Sequence, residues 1–164
     1  MRPRREPPGP GQESVWDYPR PPRLEAIAAR IVVVLGGEVV ADSASAYRVL
    51  ETSHPPTYYL PPSAFRPGRL EPAGGGSFCE WKGRAAYWTL VGGGQREEGA
   101  AWSYPAPTPA FLAMADHVAV YCARTDRCTV DGEVVTAQPG GFYGGWVTSK
   151  VAGPFKGIPG SWGW

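Results

Sequence analysis

The chain has 164 residues and a net charge of +1, with 43% hydrophobic and 12% aromatic residues. That is enough apolar material for one domain burying roughly 70% of its unfolded surface, and the near-neutral balance excludes a general attraction to nucleic acid. The longest apolar run, Ile31–Leu35, has five residues, far short of the roughly 20 that span a bilayer.

Glycine (22) and proline (19) together point to a loop-rich but folded chain. Met1-Arg2-Pro3-Arg4-Arg5 is basic, yet no apolar stretch follows it, so it does not read as a secretory signal. Residues 1–24 read as a Pro- and Arg-rich arm whose first part cannot fold alone. Within it Val15-Trp16-Asp17-Tyr18-Pro19 has the composition of a docking segment.

A β-hairpin follows, Arg30–Leu35 and Glu38–Asp42 about the turn Gly36-Gly37. Ala46–Glu51 reads as a third strand, with Tyr47 and Val49 on one face. Thr57–Leu60 reads as a fourth, set off by the prolines at 55, 56, 61 and 62. Residues 61–77 read as loop, most flexible at Gly74-Gly75-Gly76. Arg84–Val91 is the expected central strand, turned by Gly92-Gly93-Gly94 toward Ala100–Tyr104. Thr108 as N-cap and Pro109 at the first helical position predict a short helix over Ala110–Ala115. Val118–Tyr121 is strand-like, and Asp131-Gly132 predicts a hairpin between Cys128–Val130 and Glu133–Val135. The Gly/aromatic tail, 138–164, is expected to lie across the domain and cover apolar surface. The sum is a mainly-β fold, a barrel or folded-sheet domain of short antiparallel strands with one or two short helices.

The richest stretch is Phe78-Cys79-Glu80-Trp81-Lys82-Gly83, a thiol, a carboxylate, an indole and an ammonium in succession. On an extended backbone Cys79 and Trp81 face one way and Glu80 and Lys82 the other, with Gly83 as a possible bulge. Cys79 is a nucleophile candidate if Lys82 lowers its pKa and His54 supplies a base, or else a small buried hydrophobe. Lys82 either lays its stem on an aromatic ring, pairs with Glu80, or anchors an anionic ligand. Tyr58, Tyr59, Trp81, Tyr87, Trp102 and Tyr104 read either as core or, with Glu51, as the walls of a half-polar cavity around that cation for a planar anion. His54 is equally readable as a turn residue held by prolines.

Carboxylates for two-metal nucleotidyl transfer are sparse: there is no Asp-x-Asp or Glu-x-Glu pair, and Glu97-Glu98 would point oppositely on a strand. Two histidines and three unpaired cysteines predict no metal site and no cofactor. The odd cysteine count predicts reduced thiols and a cytoplasmic protein. A monomer or weak homodimer is expected, with no specific nucleic-acid partner and no membrane partner. A third possibility is an interaction module whose C-terminal aromatics meet a partner.

Three blocks, Leu50-Glu51-Thr52-Ser53-His54-Pro55-Pro56-Thr57-Tyr58-Tyr59, then Cys79–Tyr87, then Ala101-Trp102-Ser103-Tyr104-Pro105, resemble the domain of unknown function 427 family over about residues 24–137. The C-terminal Pro139–Trp146 and Gly160–Trp164 resemble the extension of a longer bacterial subgroup. The resemblance implies an arm at 1–24, a β-tent domain at 25–137 similar to type-B methionine sulfoxide reductases, and an extension at 138–164. It also brings a nucleotidyltransferase-like label. Many β-tent proteins hold zinc with two Cys-x-x-Cys knuckles; Cys79, Cys122 and Cys128 form none.

Overall fold

The computed structural model describes residues 2–164; Met1, the first residue of the expected arm, lies outside them. The chain is mainly β. In order the strands are β1 (Glu13–Ser14), β2 (Arg23–Ile27), β3 (Ile31–Leu35), β4 (Glu38–Ser43), β5 (Ala46–Leu50), β6 (Thr57–Tyr59), β7 (Leu70–Cys79) and β8 (Gly83–Gly92). They continue as β9 (Gln95–Ser103), β10 (Val118–Val120), β11 (Arg127–Val130), β12 (Glu133–Val134), β13 (Thr136–Ala137), β14 (Trp146–Val147) and β15 (Val151–Ala152).

Small sheets lean on one another and no barrel closes. One has the order β10-β9-β8-β7, a second β12-β11-β3-β4 and a third β2-β5-β6. All pairs in these three are antiparallel. Leu60 and Val118 exchange backbone hydrogen bonds of 2.9 and 2.7 Å, which stitches the end of β6 to β10. The hairpins at Gly36-Gly37 and Asp131-Gly132 form as their turn chemistry requires.

The main core lies among Ile31, Leu35, Val40, Leu60, Leu90, Val118 and Trp146, all buried. A second cluster, Val49, Tyr59, Trp102, Tyr104, Phe111 and Met114, lies on the other side of β9. Alternation on β9 explains the split: Ala101 faces the first cluster and Trp102 the second.

Three local expectations are corrected. Residues 70–79 are strand rather than loop. Gly76 pairs with Ala86, and the register breaks between Pro72 and Gly76. A ladder needs only backbone donors and acceptors, so a glycine run can complete β8's open edge. The 109–114 segment is a 3-10 helix, and Thr108 does not cap it; its hydroxyl donates instead to the Trp81 carbonyl. The expected extended run does not continue through residues 80–82. Cys79 pairs with Gly83, and Glu80-Trp81-Lys82 is the turn between β7 and β8. Gly83 has φ 103°, which side chains with a Cβ rarely adopt.

The N-terminal segment docks. Val15, Trp16 and Tyr18 are buried against Leu50 and Val151. Trp16 donates its indole N–H to Pro154 O at 2.9 Å and packs on Trp164 with ring centres 5.6 Å apart. Arg48 binds Glu13 at 2.6 Å and Glu25 at 2.8 Å, joining the segment to the β2-β5 pair. Burial pushes the Glu13 carboxyl up, but hydrogen bonds from Arg48 and Tyr18 bring it net below its ordinary pKa. The tail divides. Trp146 is fully buried, with its N–H on Val120 O at 3.0 Å, whereas Phe142 and Trp162 stay exposed.

Among the described residues no helix is long and apolar enough to cross a membrane. The docked segment yields a prediction. Trp16→Ala should lower the unfolding free energy by about 3–5 kcal/mol, the scale of an aromatic-to-Ala cavity. Urea denaturation checks it, and an unchanged midpoint would contradict the docking.

Candidate functional site: an aromatic cleft

The β7-β8 turn is pinned from outside its own hairpin. Besides the Thr108 hydroxyl on Trp81 O, the Thr108 N–H donates to Lys82 O at 3.2 Å. This fixes Cys79, Trp81 and Lys82 on the rim of a cleft of about 610 Å³. Its lining includes Tyr59, Tyr87, Trp102, Tyr104 and Tyr121, together with Glu51, His54, Gln138, Tyr143 and Lys156.

The ring tips are wired together. Trp102 donates its indole N–H to Tyr59 Oη at 3.3 Å, and Tyr87 Oη lies 2.8 Å from Ser77 Oγ. Burial pushes the Tyr59 and Tyr104 phenols well above their ordinary pKa, so both remain protonated donors. Gly144 lies flat on the indole of Trp102. A Cβ there would sit 2.1 Å from Trp102 Cη2, so only glycine lets the chain pass.

Lys82 Nζ lies 5.8 Å from the Tyr104 ring centre and Lys156 Nζ 5.6 Å from that of Tyr143. Among the described residues neither ammonium has a carboxylate within 4.0 Å. The alternative of a Lys82–Glu80 ion pair is therefore not what the turn forms. Burial, then the Arg20 charge, lowers the Lys156 pKa.

His54 is buried and has a polar neighbour at each ring nitrogen. Its Nδ1 accepts from the Gln138 amide at 3.0 Å, and its Nε2 lies 3.5 Å from Glu51 Oε2. Both ring nitrogens are thus occupied, and no hydrogen bond joins His54 to Cys79. Burial takes its pKa down to about 4, with the Glu51 charge pulling the other way. Glu51 also meets Arg20 at 3.3 Å.

Of the sequence candidates, Cys79, Lys82, His54, Trp81, Tyr87, Trp102 and Glu51 all line this cleft. Tyr58 does not. It sits on the opposite face of β6 from Tyr59 and stacks on Trp146, ring centres 5.2 Å apart and 29° between planes. Strand alternation sends neighbouring tyrosines to opposite sides, and that signal was legible. Sequence reasoning missed Gln138, Tyr143 and Lys156 as lining residues. Nothing local marks Gln138, whose role depends on three segments that meet only in the fold. Cys79, Cys122 and Cys128 are free thiols. Burial raises the pKa of Cys122 and, more strongly, of Cys128 to about 12, which leaves them inert.

Among the described residues no three His, Cys, Asp or Glu side chains converge as metal ligands. Asp131 and Glu133, an acidic pair spaced by one residue, flank a turn and accept from Arg30 N and Ser149 N instead.

The fold and cleft define a small mainly-β protein with an open, aromatic, cation-bearing groove. The chain belongs to the family described as Domain of unknown function (DUF427), whose model matches residues 23–131. No curated protein matches it. Gln138, Tyr143 and Lys156, which also line the cleft, lie beyond the matched residues.

His54 makes stability depend on pH. Its folded pKa of about 4 lies below the ordinary 6.5, so between the two the unfolded chain binds a proton that the native state does not. Stability is full above pH 6.5 and falls toward pH 4, by on the order of 3 kcal/mol. His54→Gln should flatten this slope in chemical denaturation at stepped pH; an unchanged slope contradicts the assignment.

Proposed function

We propose that this protein binds a small organic anion with a planar ring in the aromatic cleft. The observation that carries the reading is the pair of ammonium groups without carboxylate partners, each against a tyrosine ring, in a groove walled by indoles and phenols. An ammonium held in such a place is partly desolvated and favours a counter-ion. The rings offer stacking faces, and the protonated Tyr104 phenol offers a donor. Phosphate and carboxylate groups meet these requirements equally. Free thiols suit a reducing cytoplasm in a bacterial cell, where we place the protein as a monomer or weak homodimer.

Lys82→Met tests the reading because it keeps the stem's packing and removes only the charge. Thermal shift and tryptophan fluorescence against phosphate, mononucleotides and small aromatic carboxylates would be compared for both proteins. The expected result is anion binding by the wild type, weakened in the variant by about 1.5–3 kcal/mol, the scale of a charge-assisted hydrogen bond. Folding stability should change by less than about 1 kcal/mol, since no ion pair is broken. A wild type that responds to none of these anions overturns the proposal.

A further inference from the structure

Beside the cleft lies a second groove of about 430 Å³. The two are contiguous: Phe142, Tyr143 and Lys156 line both. Lys156 therefore stands at a junction, with the Trp81, Tyr87 and Trp102 rings on one side. On the other side is Trp162, whose ring centre is 6.0 Å from that of Phe142 and 6.3 Å from that of Tyr143.

The second groove is preformed. Ser161 Oγ, buried, accepts from Gly157 N at 2.8 Å and donates to Ile158 O at 2.5 Å, while Trp164 N donates to Ser161 O at 3.0 Å. These bonds hold the 157–164 turn that presents Trp162. The groove's base is bare backbone: a Cβ on Gly157 would sit 1.9 Å from Pro139 O, and one on Gly140 would sit 2.4 Å from Gly157 O. The backbones of Pro139, Gly140 and Gly157 therefore pass too close to one another for a side chain at either glycine. Trp162 is nevertheless 73% exposed and Phe142 68%, although an indole on a rigid turn gains by burial.

We propose, resting on the anion-binding reading above, that the two grooves form one site for an organic anion with two planar rings. Its anionic group lies at Lys156, one ring in the cleft and the other against Phe142 and Trp162. The order ring, anion, ring follows from the position of the ammonium between two aromatic surfaces. A dinucleoside phosphate, with a phosphodiester between two bases, has this chemistry, and so does any aromatic acid bearing a second ring next to its acid group.

The experiment compares ligands that differ by the second ring. One pair is adenosine monophosphate and the dinucleoside phosphate ApA; the other is 1-naphthalenesulfonate and 8-anilino-1-naphthalenesulfonate. Dissociation constants would be taken by calorimetry on the full chain. The second ring is expected to tighten binding about 5- to 100-fold in at least one pair, the range for a stacked base. Trp162→Ala should remove that gain and Trp162→Phe should restore part of it; the exposed position makes both variants tolerable to the fold. No gain in either pair, or a gain that survives Trp162→Ala, overturns the inference. If single-ring anions bind and the second ring adds nothing, the two-groove site fails while the anion-binding reading stands. If none of the four binds, both fail.

Discussion

The side-chain amide of Gln138 is the contact on which the cleft depends. It is almost wholly buried, and it spends its bonds on three separate segments. Nε2 reaches His54 Nδ1 at 3.0 Å and Lys156 O at 2.9 Å, while Oε1 accepts from Gly145 N at 3.1 Å. These partners belong to the β5-β6 connection, the C-terminal turn and the 140–145 strap. None of the three packs as regular sheet against the others. One amide satisfied in three directions therefore fixes how the C-terminal segment sits over the β-domain. A buried amide is worth little net when satisfied and costs heavily when stranded, so the arrangement specifies geometry more than it adds stability.

Around that clamp the packing leaves little slack. The strap passes over Trp102 with only a glycine's thickness to spare, and Gly145 is hemmed in by Gln138 and Pro55. Trp102 in turn meets Tyr121 with ring centres 4.4 Å apart and bonds to Tyr59, so the end of β10, β9 and β6 share one layer of rings under the strap. The cleft is a gap left between well-packed surfaces that side chains cannot collapse to fill.

Several arginines of the surface are paired with carboxylates. Arg30 meets Asp42, Arg69 meets Glu38, Arg96 meets Glu71 and Arg124 meets Glu97, while Arg48 meets two carboxylates. Lysines 82, 150 and 156, the three in the chain, have no such partner among the described residues, and two of them face the cleft. A guanidinium suits fixed bidentate pairs, whereas an ammonium on a flexible stem suits a ligand that comes and goes.

The amino-acid sequence by itself determined the strand content, the hairpins at Gly36-Gly37 and Asp131-Gly132, and the concentration of chemistry between Cys79 and Lys82. Those features rest on local preferences: β-branched runs, glycine in tight turns, and cation and aromatic side by side. Period-2 reasoning failed at Glu80-Trp81-Lys82 because a hairpin turn, not a strand, carries those residues, and a turn follows no alternation. It failed again at Gly74–Gly76, where a poor strand sequence is recruited by the open edge of β8. Only the tertiary structure decided that Tyr59 rather than Tyr58 faces the cleft, that His54 is buried against Gln138, and that Lys156 lines the same cleft as Lys82. Residues 54, 82, 138 and 156 are brought together by long-range pairing and docking, and a contact between segments that distant leaves no periodic trace in either of them.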